Sequence, residues 1–140
     1  MANEAVSKVE VGSDVGVLQY RLTPWRLLKY IDTTGDDNPW YRVDSPFGGV
    51  IAPPTFFDSD LMRLPGLRKI VDLHPRRLLA GQECDFLNPA RPGMLITVRG
   101  KIAETYVKGS REYVVFEGRV SDEDSLELAR MRLIYCWPLE

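Results

Sequence analysis

In the second half of the chain, apolar and polar residues alternate, and this alternation predicts antiparallel β-strands. Side chains two residues apart point to the same face of a strand, so each segment has one apolar face. Polar turns separate the segments, and Lys108-Gly109-Ser110 predicts a hairpin. We expect four strands, over residues 78–87, 95–107, 111–121 and 126–137. Their apolar faces are Ile96, Val98 and Ile102, then Val114, Phe116 and Val120, and then Ala129, Met131, Leu133, Tyr135 and Trp137.

The first half begins with an apolar segment at 15–22 that predicts one more strand, followed directly by a helix. Thr23 is a favourable N-cap residue, and Pro24 falls at the first helical position, where its missing N–H has no cost. Apolar residues then recur at three- and four-residue spacings along one side. Gly35 is expected to end this helix, because glycine readily adopts the left-handed conformation found after helices.

Loop residues dominate from 36 to 54, and the Pro53-Pro54 pair then predicts the start of a second helix. We expect Pro65-Gly66 to end this helix and residues 67–77 to form a short helix and a loop. The apolar face of the second helix consists of Phe57, Leu61 and Leu64.

The order of these elements predicts the fold class. Helices followed by a run of strands are typical of an α+β domain in which one helix packs on an antiparallel sheet. A length of 140 residues is sufficient for one such domain and its core. We expect the domain to span 14–140, after a flexible N-terminal arm at 1–13.

Charge and composition exclude several classes of function. A net charge of −2 argues against a nucleic-acid-binding protein, and no apolar run approaches the roughly 20 residues of a membrane span. The first residues lack the apolar segment of a signal peptide. Cys84 and Cys136 are too few for a disulfide framework, so we expect a cytoplasmic protein in which both are small apolar fillers.

His74 is the single histidine of the chain. A zinc site of three histidines is therefore impossible, and a Ser-His-Asp triad would have to use His74. We expect neither a metal nor a cofactor, and we expect His74 to be an exposed loop residue.

Three motifs resemble those of a known family. They are Thr34-Gly35-Asp36-Asp37-Asn38-Pro39-Trp40-Tyr41, then Phe47-Gly48-Gly49-Val50-Ile51-Ala52-Pro53-Pro54-Thr55-Phe56, and Asn88-Pro89-Ala90-Arg91-Pro92-Gly93-Met94-Leu95. In this order they resemble the MaoC-like branch of the hot-dog fold, which includes (R)-specific enoyl-CoA hydratases and 3-hydroxyacyl dehydratases. The Pro-Pro form of the second motif is closer to the FAS1-like dehydratase relatives.

The resemblance implies a single hot-dog domain, with an antiparallel sheet wrapped around a central helix that begins near Pro54. Two such units usually pair edge to edge, with the active site at their interface, which implies a homodimer or a heterodimer with a His-bearing hot-dog subunit. The implied substrate is a 3-hydroxyacyl or 2-enoyl chain held as a thioester on coenzyme A or an acyl carrier protein.

The resemblance also implies a pair of catalytic residues. In the family, an aspartate and a histidine five residues later bind water and move the proton. Asp36 takes the place of the aspartate, but Tyr41 stands where the histidine belongs. A free tyrosine titrates near pH 10 and histidine near 6.5, so Tyr41 is a hydrogen-bond donor rather than a general base at neutral pH.

A second departure from the family is Pro54, which replaces a glycine whose N–H faces the thioester oxygen. Proline has no N–H, so Thr55 becomes the candidate donor. The residues expected to bind substrate are Asn38, Trp40, Gly49, Ile51, Pro54 and Thr55.

Each of these residues also has a structural interpretation. Asp36 can serve only to form the turn, because Asp and Asn side chains bond to their own backbone. Trp40 and Tyr41 can be core aromatics. The basic residues Arg76, Arg77, Arg91, Arg130 and Arg132 are expected on a solvated surface, with the alternative that one or two of them contact the phosphates of coenzyme A or a carrier arm.

Three functional hypotheses follow. The first is a dehydratase or hydratase of acyl thioesters that uses Asp36 and Tyr41. The second is a non-catalytic subunit that shapes the acyl tunnel of a heterodimeric dehydratase. The third is a different reaction on the same scaffold, such as isomerisation, cyclisation or thioester hydrolysis.

Overall fold

The computed structural model describes residues 9–139, so most of the expected arm at 1–13 lies outside the described residues. Within that arm, Gly12 donates its N–H to the carbonyl of Ile102, and Ser13 accepts the N–H of Ile102. Among the described residues, no helix combines the length and apolar character needed to cross a membrane. The strands are β1 (Asp14–Arg21), β2 (Leu78–Phe86), β3 (Leu95–Lys108), β4 (Arg111–Ser121) and β5 (Glu127–Pro138), and the helices are α1 (Pro24–Thr34) and α2 (Pro65–Val71).

The five strands form one antiparallel sheet in the order β1-β3-β4-β5-β2. The sequence prediction of one strand, one helix and four further strands is therefore confirmed, including the α+β class. Because β1 and β2 are the outer strands, each leaves one edge without a partner within the described chain.

The inner face of the sheet carries the apolar residues that were predicted from the alternation of apolar and polar positions. All eleven of them are buried, and Ile96, Val98, Val114, Phe116 and Val120 are completely inaccessible to solvent. Burial of this face contributes strongly to folding, because each large apolar side chain contributes roughly 1.5–3 kcal/mol.

The segment that crosses this face differs from the single helix expected after Pro54. It consists of two short 3-10 helices, Pro54–Phe57 and Leu61–Arg63, followed by α2. The expectation that Pro65 ends the helix is wrong, since Pro65 is the first residue of α2, a position where proline is favourable. Phe57, Leu61 and Leu64 are nevertheless buried as expected. We call residues 54–71 the central segment.

Two glycines allow the central segment to lie directly on the sheet. A Cβ atom at Gly118 of β4 would lie 2.7 Å from Cδ1 of Leu61. A Cβ atom at Gly66 of α2 would lie 2.5 Å from the carbonyl oxygen of Val15 in β1. The segment is therefore packed against strand backbone, and its position relative to β1 is fixed.

Candidate active site

The loop after α1 folds into a turn through its own side chains. The Asp36 carboxylate accepts the backbone N–H of Asn38 at 2.9 Å. The Asn38 side chain accepts the N–H of Trp40 at 3.0 Å and caps the 3-10 helix Pro39–Tyr41. Arg42 joins this turn to α1, since its guanidinium donates to the Asp36 carbonyl and pairs with Asp32 at 2.9 Å. One oxygen of Asp36 is thus committed to forming the turn.

Tyr41 follows the turn and is half-buried. Burial raises the pKa of its phenol, the nearby Asp36 carboxylate raises this pKa further, and a hydrogen bond with the Asn38 side chain opposes both. The phenol therefore stays protonated at neutral pH, where it can donate a hydrogen bond but cannot act as a base.

Tyr41 forms part of the wall of a cavity of about 270 Å³, which we call the apolar pocket. The pocket lies between the loop before the central segment and the end of β2, beside the outer edge of the sheet. Its walls are Trp40, Tyr41, Phe47, 51–54, Phe57, 86–90 and Leu128. The large aromatic share and the few polar groups are typical of sites that hold an organic ligand.

The structure divides the sequence-predicted site residues into two groups. Trp40, Tyr41, Ile51 and Pro54 line the apolar pocket. The residues outside its walls are Asp36, Asn38, Gly49 and Thr55. Asp36 and Asn38 nevertheless belong to the turn that holds Tyr41.

Gly49 and Thr55 have other hydrogen-bond partners. Gly49 donates its N–H to the Asp44 carboxylate at 2.7 Å and accepts the Ser45 hydroxyl at 2.6 Å. The Thr55 hydroxyl accepts the phenol proton of Tyr30 at 3.0 Å, away from the apolar pocket. The N–H of Thr55, in the first turn of a 3-10 helix, has no partner within that helix. This N–H is the remaining candidate donor for a thioester oxygen.

His74 does not replace the missing histidine within the chain. Its ring stacks on Trp137, with ring centroids 3.7 Å apart and planes at 6°. Trp137 and Leu128 are nine residues apart on β5, which corresponds to about 30 Å. Since Leu128 lines the apolar pocket, His74 lies at the opposite end of the sheet. The expectation of an exposed loop histidine is wrong, because the ring is half-buried against Trp137.

Arg91 is a site residue that the sequence prediction missed. It was expected on the solvated surface, but it is half-buried and its guanidinium donates to the carbonyls of Phe47, at 2.7 Å, and Gly48. Phe47 in turn packs edge-on against Trp40. Arg91 therefore fixes the loop that closes one side of the apolar pocket. No local signal in the sequence identifies this contact, because its acceptors are backbone carbonyls more than forty residues from Arg91.

The two cysteines are free thiols, with Cys136 buried and Cys84 half-buried. Burial, together with Asp58 and Asp85, raises the pKa of the Cys84 thiol to about 11. A thiol with this pKa is a poor nucleophile at neutral pH, which agrees with a role in packing.

Comparison with known proteins supports the fold and the family. The family model described as "FAS1-like, dehydratase domain region" matches residues 10–131. No curated protein matches the chain.

Several solved structures share the fold at low sequence identity. The (R)-hydratase PhaJ1 from Pseudomonas aeruginosa is 21% identical with a TM-score of 0.71, covering 96% of this chain and 86% of its own. A MaoC-like dehydratase from Rhodospirillum rubrum is 18% identical with a TM-score of 0.72, covering 96% and 97%. The ChsH1-ChsH2 complex from Mycobacterium tuberculosis is 16% identical with a TM-score of 0.74, covering 99% and 92%. The chain therefore belongs to the FAS1-like dehydratase family and has the hot-dog fold of the MaoC-like dehydratases and (R)-hydratases.

Proposed function

We propose that the protein is a hydro-lyase that interconverts 3-hydroxyacyl and 2-enoyl thioesters, carried on coenzyme A or an acyl carrier protein. One observation carries this proposal. The phenol of Tyr41 forms part of the wall of the apolar pocket and lies close enough to the Asp36 carboxylate for that charge to raise its pKa. A proton donor on the wall of a cavity suited to an acyl chain thus lies within electrostatic range of a proton acceptor in the adjoining turn.

In the dehydration direction, the Asp36 carboxylate takes the proton from Cα, and the C–H electron pair forms the Cα–Cβ double bond. Tyr41 gives its proton to the hydroxyl on Cβ, which leaves as water. Transfer of the new proton from Asp36 to the Tyr41 phenolate restores both groups. The N–H of Thr55 stabilises the negative charge that develops on the thioester oxygen.

The test is hydration of crotonyl-CoA and longer enoyl-CoAs by the purified chain. Asp36→Asn keeps an oxygen that can accept the N–H of Asn38, so the turn is retained while the proton acceptor is lost. We expect activity to fall by roughly 10²–10⁴-fold, with a smaller loss for Tyr41→Phe. Asp37→Asn, an exposed neighbour, is the matched control and should keep full activity. Undiminished activity in Asp36→Asn would overturn the assignment.

The outer edge of the sheet favours a second candidate, a tunnel-shaping subunit in a heterodimer. Leu78, Leu79, Phe86 and Leu87 on or beside β2 are each more than 40% exposed, and the last two line the apolar pocket. An apolar strand edge of this kind is suited to pairing with another chain. ChsH1-ChsH2, which has a similar fold, is itself a complex of two different proteins.

Two measurements separate these candidates. A homodimer with hydratase activity supports the first candidate and excludes the second. An inert chain that gains activity only with a His-bearing hot-dog subunit supports the second. Tyr41→His adds a further test, because a histidine at this position should raise hydratase activity if Tyr41 faces the substrate. We also propose a cytoplasmic location, in agreement with the two free thiols.

A further inference from the structure

A second cavity, of about 470 Å³, lies on the other side of the central segment from the apolar pocket. Its walls come from the end of β1, from α1 and from the start of the central segment. Phe56 lines this cavity, whereas the next residue, Phe57, lines the apolar pocket. The two rings meet edge to face at 5.6 Å, so the backbone between them separates the cavities. We call the second cavity the cationic pocket.

Aromatic rings make up much of its wall. Tyr20, Trp25, Tyr30 and Phe56 all line the cavity. The Phe56 ring packs against Tyr30 at 5.2 Å and Tyr20 at 6.3 Å, which fixes these three rings relative to one another. Trp25 stands apart, because 67% of its surface is exposed. An exposed tryptophan beside an aromatic cavity is available to stack on a planar ligand.

Three cations surround these rings. The guanidinium of Arg26 lies 4.8 Å above the Tyr20 ring, and the ammonium of Lys29 lies 5.0 Å above the Trp25 ring. Within residues 9–139, neither Arg26 nor Lys29 has a carboxylate within 4.0 Å. Arg63, the third cation, pairs with Asp60 at 3.3 Å. Among the described residues, Arg26 and Lys29 thus have no direct ion pair, although Arg26 lies within electrostatic range of the Asp60 carboxylate.

The base of the cavity contains a buried carboxylate. Asp60 is only 3% exposed and accepts the Tyr20 phenol proton at 2.6 Å. Burying a charge costs free energy that an apolar residue at the same position would avoid. Asp60 holds both the Tyr20 ring and the Arg63 guanidinium in the wall of the cavity. Its carboxylate therefore fixes the positions of two residues that line the pocket.

We propose that the cationic pocket binds a small ligand with a planar ring and a phosphate group, such as a nucleoside monophosphate. The ring stacks on Trp25, and the phosphate contacts Lys29 and Arg26. The volume lies within the range of small-molecule sites. This site is separate from the apolar pocket, because the central segment divides it from the wall that includes Tyr41.

The test is calorimetric titration of the full chain with adenosine 5′-monophosphate. Adenosine has the planar ring without the phosphate, and ribose 5-phosphate has the phosphate without the ring. Each should bind at least about tenfold more weakly than the nucleotide. Trp25→Ala and Lys29→Ala should each weaken binding by about tenfold or more. Leu28→Ala is the matched control, because Leu28 is exposed on the same helix but does not line the cavity.

Several results would overturn the proposal. They are the absence of binding at millimolar nucleotide, equal affinity for ribose 5-phosphate and the nucleotide, or unchanged affinity in both pocket variants. Circular dichroism establishes that the variants are folded. Asp36→Asn should bind the nucleotide like the parent, so the loss of hydratase activity and the loss of this site are distinguishable.

Discussion

The two sides of the central segment are built by different means. On the side of β1, where β1 and α1 line the cationic pocket, the central segment is anchored by backbone contact between Gly66 of α2 and Val15 of β1. On the side of β2, the apolar pocket is closed by a loop that the guanidinium of Arg91 holds. Backbone packing permits little adjustment, whereas a loop held by a few hydrogen bonds can open at low cost. The side proposed for catalysis is therefore the more adaptable one.

Gly66→Ala tests the side of β1, where backbone packs on backbone, and should cause the largest loss of stability. The new methyl group would lie 2.5 Å from the Val15 carbonyl oxygen and 2.6 Å from its Cα, so α2 must move away from β1. We expect a loss of about 3 kcal/mol in the free energy of unfolding, at the upper end of the range for overpacked sites. Urea denaturation measures this loss.

Gly81→Ala is the matched control for Gly66→Ala. Its methyl group would meet only the end of the flexible Ile134 side chain, at 3.2 Å. We expect a much smaller change in stability, because that side chain can shift. Equal losses of unfolding free energy in the two variants would show that the side of β1 is no more tightly packed than the side of β2.

Arg91→Lys tests the side of β2, where a loop closes the apolar pocket, and should cause an intermediate loss of stability. A lysine ammonium cannot reproduce the two-pronged contact with the Phe47 and Gly48 carbonyls. We expect the loop at 44–49 to be released, with a loss of roughly 1–2 kcal/mol. The KM for enoyl-CoA should rise while affinity for the nucleotide at the cationic pocket is unchanged.

Arg99→Lys controls for the loss of a guanidinium, because Arg99 is exposed on β3, where its strand neighbours are Val17 and Arg119 rather than this loop. Limited proteolysis reports the release of the loop directly. If the Arg91→Lys loop is no more sensitive to protease than the parent loop, Arg91 does not hold the pocket closed.

The sheet and α1 could be predicted from the sequence because their determinants are local. Alternation identified the buried faces, and Thr23, Pro24 and Gly35 set the limits of α1. Pro65 was misjudged for a physical reason: proline is unfavourable inside a helix but favourable at its first position. Only the tertiary packing shows which of these two situations applies.

The candidate site was less predictable, because its contacts join distant segments. The Asp36 turn could be predicted, since its hydrogen bonds span two residues. Arg91 bonds to carbonyls more than forty residues away, and carbonyls carry no sequence signal. Asp60 and Tyr20 are likewise forty residues apart, so nothing in either local sequence identifies the pair.

The smallest change in stability is expected from the titration of Asp60. Asp60 lies at the base of the cationic pocket, and its titration makes the stability of the protein depend on pH. Burial raises the pKa of this carboxyl, while the Tyr20 hydrogen bond and the charges of Arg63 and Arg26 oppose the increase. Above the unfolded value near 3.9, the folded protein therefore holds a proton that the unfolded chain has lost. This contribution to stability is complete at low pH and disappears as pH rises through the folded pKa.

Asp60→Asn removes this titration while retaining an acceptor for the Tyr20 phenol. The parent should therefore gain stability relative to Asp60→Asn as pH falls from 7 towards 4, as measured by urea denaturation at several pH values. Tyr20→Phe removes a hydrogen bond that lowers the pKa of Asp60, so it should move the same response to higher pH. A constant difference between the parent and Asp60→Asn across this range would mean that Asp60 titrates alike in both states. The charged side of the central segment would then be no more sensitive to pH than the apolar side.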